Sequence, residues 1–508
     1  MKSLPPCYGH YSLAVSFTMP AMIARYPLLF LLACVLGFHL WLNVLLPLGV
    51  DEAHYALYGW YLDWSYYDHP PLIGWLEAPF VQGLDTDWAV RLPAIAIGLV
   101  SLWLLVRTSE RLFPDTAYVG GWVLFLALFS PLLHGLTLTP LPDTPLLLLS
   151  LLLMGYLWHH RHSERLPRPW ILGVLLGLAG LSKYTAITLV VSLLLVVAVY
   201  GRWGWLKQPG MWAGAGIALV LLSPVLWWNA QHDWASFLYQ LHHGTRHQTW
   251  SFERFAISQG RQLGAYGPVI YVAGMALIGW ALFRWRTLPE GVRFSLLFAL
   301  PVLVLFAWSA GHEPILPHWT GLGWWLLLPA LGWWLARHRW VLWLHGMLGG
   351  GVWVGVLALL LGAAWPFKAP NPLLEVAGWR QASVQLATWQ QRLQQQGEKV
   401  YKFAGNWSLV SRPAWYLRHG HDPAVFTADG KRTQFDFWFQ RPHWGSDGVV
   451  LWHTYFNDRQ TPADGDRLFA RCRLLQQWPV SWQGRALGEQ FRIYWCQEWQ
   501  RGRGAAGK

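Results

Sequence analysis

Residues 27–75 read PLLFLLACVLGFHLWLNVLLPLGVDEAHYALYGWYLDWSYYDHPPLIGW. The first part, 27–50, is an apolar run long enough to cross a bilayer, since a helical span needs roughly 20 residues. Two pairs of ionisable residues follow it, Asp51-Glu52 and Asp68-His69, and they lie among Tyr and Trp residues. Charged groups held at a membrane surface cost free energy and rarely serve packing. This stretch therefore predicts a reaction centre at the edge of a bilayer.

The composition extends this interpretation to the whole chain. Of its 508 residues, 54% are hydrophobic and only 13% are charged, whereas soluble domains average about 25% charged residues. Apolar runs recur along the chain, which is typical of a polytopic α-helical membrane protein. They predict about 11 crossings, at residues 27–50, 91–113, 117–135, 140–158, 170–182, 185–200, 211–230, 262–283, 292–310, 319–336 and 340–364.

The positions of the basic residues predict the orientation. The formal net charge is +12, but the cations lie at alternate ends of the apolar runs, which argues against a nucleic-acid partner. Basic loops stay in the cytoplasm, so we expect the N-terminus inside and both the first loop (residues 51–90) and residues 366–508 outside. The basic loops hold Arg107, Arg111, Arg161, Arg165, Arg168, Arg202, Lys207, Arg284, Arg286, Arg293, Arg337 and Arg339.

The run 170–200 lies between two basic loops and must therefore cross an even number of times. At 1.5 Å per residue it spans roughly 46 Å, which is long for one crossing and short for two. We predict two short helices that meet near Ser182-Lys183-Tyr184, with Lys183 at the outer mouth of a cavity.

The tail has a different character from the rest of the chain. It is polar, with a helical pattern at 372–397 and the strand-like runs KVYKF, GVVLWHTYF and QFRIYWCQEW. We predict a transmembrane domain over 1–365 and an external α/β domain over 366–508, which is large enough to bury its own core. Cys472 and Cys496 fall on runs that can pair as strands, and a disulfide or two unpaired thiols are equally open.

The first loop supplies the main candidates for catalysis. A carboxylate such as Asp51 or Glu52, roofed by aromatic interfacial helices, has its pKa raised by desolvation and can act as a general base. The alternative is a pair of solvated carboxylates at a helix end. Pro70-Pro71 would fix an extended turn that holds Asp68 and His69 on the same wall. Asp143, before Thr144-Pro145, is equally well explained as a helix cap or as a catalytic residue.

Histidine-rich loops are weaker candidates. His232, His242, His243, Arg246 and His247 fall in one outer loop, and they suit phosphate, a metal or simple solvation, because no metal-ligand spacing is diagnostic. His318 follows His312-Glu313-Pro314, in which the proline rules out a zincin helix. The sequence has no Walker A loop, no G-x-S-x-G motif and no dinucleotide fingerprint, which argues against a nucleotide-driven pump and a serine hydrolase.

Several stretches resemble membrane glycosyltransferases of the GT-C superfamily. They are most similar to the bacterial branch of the dolichyl-phosphate-mannose protein mannosyltransferase family, to which the lipid A aminoarabinose transferase is related. The stretches are DEAHYALYGWYLDWSYYDHPPLIGW, RLPAIAIG, LPDTPLLLL, GLSKYTAITL, SPVLWWNAQHDWASFLYQ, LPHWTG, NWSLVSRPAWYL and FDFWF. The first and fifth are specific, and the resemblance spans most of residues 40–440.

The resemblance implies a GT-C fold and an inverting transfer of a sugar from a polyprenyl-phosphate donor, on the outer face of the bacterial inner membrane. The acceptor would be a lipid, a glycan or a protein. Asp51 and Asp143 match the two essential aspartates of the family, whereas His69 stands where the aminoarabinose transferases have Lys. The expected catalytic residues are Asp51, Asp143 and Glu52; the expected donor-phosphate contacts are Lys183, His69, Tyr184, Arg246 and His318; a possible divalent-metal site is Asp68 with His243.

Two other functions compete with this one. A flippase for a lipid-linked sugar would place charges in a midplane cavity, often with inverted repeats, but the sequence has no evident repeat and its charges cluster at one face. A membrane O-acyltransferase would need a catalytic histidine deep in a span. His134 and His345 are the candidates, and neither has an acidic neighbour in the sequence.

Overall fold

The computed structural model describes residues 27–166, 168–243, 249–457, 461–464 and 468–500. Every apolar run that the sequence analysis assigns to the membrane contains a helix, although the helix of run 117–135 is interrupted at Ser130 and that of run 262–283 begins only after a break at Gly267. Six of these helices are long and apolar enough to cross a membrane on their own. The protein is thus a polytopic helical membrane protein, while the number of crossings stays a prediction. The helices are Pro27–Leu45, Leu92–Leu112, Val119–Phe129 with Pro131–Gly135, Asp143–His160, Pro169–Ser182, Ile187–Val199, Pro209–Gln231, Pro268–Arg284, Glu290–Ser309, Gly321–Leu335 and Arg339–Leu360.

The predicted break in the run 170–200 is confirmed. One helix ends at Ser182, Lys183 is extended with φ −155° and ψ 142°, and a 3₁₀ turn, Tyr184–Ala186, leads into the next helix. The break turns the Lys183 side chain away from the helical row and into the site described below.

The first loop folds into two closely packed helices, Val50–Trp60 and Leu72–Gly83, followed by the short helix Asp87–Val90. Glycine permits the close contact between the first two. A Cβ on Gly59 would lie 2.8 Å from the Cβ of Glu77, and one on Gly74 would lie 2.7 Å from the Cβ of Tyr58. The close packing sets the position of one helix relative to the other.

The tail forms a five-stranded mixed sheet with helices. The strands are β1 (Val400–Ala404), β2 (Phe426–Thr427), β3 (Asp447–His453), β4 (Phe469–Trp482) and β5 (Arg485–Trp499), in the spatial order β2-β1-β3-β5-β4. β1 runs parallel to β2 and β3, while β5 is antiparallel to β3 and β4. The helices are Trp379–Gln395, Trp407–Leu417 and Phe435–Trp438. The predicted α/β fold of the tail is confirmed. β4 was foreseen only as a run around Cys472 that could pair as a strand, and β2 was not foreseen.

Cys472 and Cys496 form a disulfide across β4 and β5, where the two residues face each other in the antiparallel register. The sequence left this pairing open. Among the described cysteines, Cys34 is free.

The sheet domain packs directly on the first loop. Asp87 accepts hydrogen bonds from Trp415 Nε1 at 2.9 Å and from Arg380 at 2.8 Å. The backbone N–H of Tyr67 donates to Gln434 Oε1 at 2.6 Å. The domain thereby covers the acidic residues of the first loop. Along the chain, two further helices, Ala235–His243 and Phe252–Tyr266, connect the helix Pro209–Gln231 to the helix Pro268–Arg284.

Candidate active site

Asp51 lies in the first turn of the helix Val50–Trp60 and is only partly accessible to solvent. Its carboxylate makes no hydrogen bond or ion pair with any residue that the structure describes. Burial raises the pKa of Asp51 to about 6; His54 opposes this rise, while the nearby carboxylates of Glu375, Glu52 and Asp68 add to it. Asp51 is therefore an acceptor of protons that titrates near neutral pH, which is the property of a general base.

Glu52, the neighbouring acid, is engaged elsewhere. Both of its carboxylate oxygens accept hydrogen bonds from the buried Arg91, at 2.5 Å each, and Oε2 also accepts from the backbone N–H of Gly49. Arg91 in turn donates to the carbonyl oxygens of Leu46 and Pro47. Such a bidentate pair fixes the geometry of both partners. We propose that Glu52 positions the helix that carries Asp51, in place of the catalytic role expected from sequence.

Asp68 is held as an anion by two donors. His54 Nε2 donates to it at 2.9 Å, and the Tyr58 hydroxyl donates to its other oxygen. Burial alone would raise the pKa of Asp68, but the ion pair and hydrogen bond with His54, together with His69 and Tyr58, hold it well below its usual range. Asp68 thus orders the first loop and is not available as a base.

Asp143 and Lys183 form a buried ion pair. Lys183 Nζ donates to Oδ1 of Asp143 at 2.9 Å and to Oδ2 at 2.8 Å. Lys183 is 6% exposed and Asp143 is 3% exposed. An ammonium group has three N–H donors, so one remains for a ligand. The carboxylate and the cation that the sequence proposed for separate roles therefore act as a unit.

Two histidines flank this ion pair. His69 and His318 each interact electrostatically with both Lys183 and Asp143. Burial, aided by Lys183, lowers the pKa of His69 to about 3 and that of His318 to about 4. Both rings are therefore neutral near pH 7. As donor-phosphate contacts they can donate a hydrogen bond from a ring N–H, but they add no positive charge near that pH.

Tyr55 connects these groups and was missed in the sequence. Its ring is buried, and its hydroxyl makes no hydrogen bond to a described residue. Burial raises its pKa far above the usual range, and the carboxylates of Asp51, Asp68 and Asp143 add to this. Tyr55 is thus close to all three acids, and its hydroxyl has no hydrogen-bond partner in the described part of the chain. The spacing from Asp51 is i, i+4, which places both on one helix face and is the signal that could have identified it.

The sheet domain completes the surroundings of Asp51. Arg412, buried over the ring of Trp379 at 3.7 Å, donates to the backbone carbonyl of Glu375. Ser411 Oγ lies 3.3 Å from His54 Nδ1. No local pattern links these residues to Asp51, since they lie more than 300 positions away in the chain.

Of the other residues predicted to contact the donor phosphate or a metal, Tyr184 lies beside the site, and the rest fall partly outside the described residues. The Tyr184 hydroxyl is hydrogen-bonded to Ser236 Oγ at 2.6 Å, beside the site. Arg246 lies outside the described residues, and so does the side chain of His243. Within the described residues, no three His, Cys, Asp or Glu side chains come together as metal ligands. The metal site of Asp68 and His243 stays a prediction.

Comparison with solved structures decides the fold. The protein superimposes on ArnT from Cupriavidus metallidurans bound to undecaprenyl phosphate with a TM-score of 0.58 and 14% sequence identity, over 96% of this chain and 100% of ArnT. The apo form of ArnT gives a TM-score of 0.56. The chain has the GT-C fold.

Sequence comparison agrees with the fold. The family model for dolichyl-phosphate-mannose-protein mannosyltransferases matches residues 68–228 of this chain, which include Asp68, Asp143 and Lys183. The lipid A galacturonosyltransferase RgtD of Rhizobium johnstonii is 26% identical over 310 residues. That alignment covers 57% of this chain and 62% of the relative, which is less than two thirds of its length. The resemblance to bacterial, aminoarabinose-transferase-like GT-C proteins is confirmed.

Proposed function

We propose that this protein is a glycosyltransferase that moves a sugar from a polyprenyl-phosphate donor to a lipid acceptor. The observation that carries the proposal is the Asp51 carboxylate, which has no partner among the described residues, close to the same tyrosine, Tyr55, as the Lys183–Asp143 ion pair. A base for the acceptor and a cation for the departing phosphate are the two groups that this transfer requires. The names of the relatives, a lipid A galacturonosyltransferase and ArnT bound to undecaprenyl phosphate, support the donor and acceptor classes.

The chemistry follows from the charges of the donor. The acceptor hydroxyl or amine forms a bond to C1 of the sugar as the bond from C1 to the phosphate oxygen breaks. The proton passes to Asp51, and the bonding electron pair leaves with the polyprenyl phosphate. The leaving group gains a negative charge and needs a cation rather than an acid. In the proposed mechanism, the free N–H of Lys183 stabilises that charge, Asp143 orients Lys183, and direct attack inverts the anomeric centre.

The polyprenyl chain needs an apolar surface beside the phosphate. A groove of about 600 Å³ lies along the candidate membrane span Pro209–Gln231. Next to it, Trp228 Nε1 donates to Asp63 in the first loop at 2.8 Å, and Ser236 bonds to Tyr184. We propose that the lipid tail of the donor occupies this groove, which is lined by Trp64, Ser223, Pro224, Leu226, Trp227, Ala230 and Trp234.

The site is proposed to face the periplasm of a bacterial inner membrane. The alternating basic loops support this orientation. The disulfide of the sheet domain also supports it, because disulfides persist in oxidising compartments. A reporter enzyme fused after residue 364 should be active in the periplasm, and activity in the cytoplasm would contradict the orientation.

The test is transfer by the purified protein in nanodiscs. The reaction contains lipid A and an undecaprenyl-phosphate donor that carries either a hexuronosyl or an aminopentosyl group, and mass spectrometry follows both lipids. We expect lipid A to gain the mass of one of these sugars as free undecaprenyl phosphate appears. In sealed proteoliposomes, a donor that crosses the bilayer without being consumed would instead identify a flippase.

A further inference from the structure

A second cleft opens beside the end of the helix Arg339–Leu360, the last candidate membrane span. It has a volume of about 450 Å³ and lies between the segment after that helix and the β4–β5 hairpin of the sheet domain. Nothing in the proposed transfer step uses it. The lining includes Trp365, Phe367, Lys368, Leu374, Arg485 and Glu489.

Charge in the cleft favours an anion. Lys368 and Arg485 both line it, and neither forms an ion pair with a described residue. Arg485 uses one N–H to donate to the Gly362 carbonyl, which fixes its guanidinium at the wall and leaves its other donors free. Glu489 is the carboxylate of the lining, and it accepts a hydrogen bond from the Thr454 hydroxyl. With two cations and one carboxylate, these charged residues give the lining a net positive charge.

The rim of the cleft is apolar and aromatic. The rings of Trp365 and Phe367 meet edge to face at 4.8 Å, and the side chains of Phe367 and Leu361 are 64% and 72% exposed. Exposed aromatic residues that follow a membrane span lie at the level of the lipid headgroups. A cation pair below such a rim suits a lipid with an anionic headgroup better than a free soluble anion.

The cleft is separated from Asp51 by one short helix. Leu374 forms part of the lining, and the next residue, Glu375, is one of the carboxylates that act on Asp51. Both belong to the 3₁₀ helix Pro372–Glu375. We propose that the cleft holds the anionic headgroup of the acceptor lipid, and so delivers this lipid to the neighbourhood of Asp51. The identity of this lipid as the acceptor rests on the proposed function. The binding of an anionic lipid rests on the cleft alone.

Binding is tested first, without any sugar transfer. The purified protein is mixed with phosphatidic acid or phosphatidylcholine, and native mass spectrometry counts the retained lipids. The variant Lys368→Glu with Arg485→Glu should lose the preference for phosphatidic acid. Lys368→Glu alone, which disturbs no contact within the described residues, should lose about tenfold in affinity. The matched control reverses two exposed cations outside the cleft, Arg392→Glu with Lys399→Glu, and should bind like wild type.

An unchanged preference for phosphatidic acid in both cleft variants would overturn the site. Transfer kinetics then test the assignment to the acceptor. In the cleft variants the KM for phosphorylated lipid A should rise about tenfold with the KM for the donor unchanged, and an increase confined to the donor KM would overturn it. If the wild-type protein binds phosphatidic acid at the cleft but transfers no sugar, the proposed function fails while the anionic-lipid site stands.

Discussion

Replacement of Asp51 by Asn should separate activity from stability, because the same charge that serves as base is costly to bury. Removing a general base lowers the rate about 10²–10⁴-fold. The amide keeps the shape of the carboxylate, so binding of the donor should be unchanged. In the wild type, the rate of transfer should rise between pH 5 and pH 7 with a midpoint near the pKa of Asp51, about 6.

The effect on stability follows from the raised pKa. One pKa unit corresponds to about 1.4 kcal/mol, and the carboxyl of Asp51 titrates at about 6 instead of 3.8. Its ionised form therefore lowers the free energy of unfolding by at most about 3 kcal/mol at pH 8, and by less in proportion to the remaining solvent access of Asp51. Protonation removes this cost, so it fades as the pH falls through 6 and is absent below 3.8.

Asp51→Asn should therefore be inactive yet at least as stable as wild type at pH 8, with a smaller gain in stability at pH 5. Thermal unfolding in detergent and the transfer rate, both measured at the two pH values, test this. Near-wild-type transfer by the variant would refute the role of Asp51 as general base. Loss of both activity and stability at pH 8 would refute the reasoning about the desolvated charge.

Three other substitutions probe the surroundings of Asp51. Glu52→Gln should destabilise the protein by about 3–5 kcal/mol, because its buried arginine partner loses its counter-charge, while the folded fraction still transfers sugar; a stable but inactive variant would make Glu52 catalytic. Lys183→Ala should be unstable and use the donor poorly, and a second change, Asp143→Ala, should restore the thermal midpoint but not the donor KM. Recovery of the donor KM in that double variant would exclude Lys183 from phosphate binding. Cys472→Ser with Cys496→Ser should lower stability by about 3 kcal/mol in non-reducing unfolding experiments, and an unchanged midpoint would mean that the disulfide is not formed.

Features that depend on local composition could be predicted from the sequence. The apolar runs predicted the helices because length and hydrophobicity decide what can cross a bilayer. The break at Lys183 followed from the length of one run between two basic loops. The choice of Asp51 as the candidate base, which stays a prediction, followed from the family motif and from its place after the first apolar run. Each of these inferences needed only neighbouring residues.

Features that depend on contacts between distant residues could not be predicted. The Lys183–Asp143 and Glu52–Arg91 pairs join residues about 40 positions apart, and no pattern in a single sequence assigns such partners. The neutral state of His69, which was expected to contact the donor phosphate, likewise depends on burial by the assembled fold.

The central claim is that Lys183 receives the phosphate of the lipid donor beside an unpaired Asp51. The most direct measurement is a cryo-electron microscopy structure of the protein in nanodiscs with undecaprenyl phosphate. We predict a phosphate oxygen within about 2.9 Å of Lys183 Nζ, the lipid tail in the groove along the helix Pro209–Gln231, and an open path from the phosphate to Asp51. A phosphate bound away from Lys183, with the tail elsewhere, would contradict it.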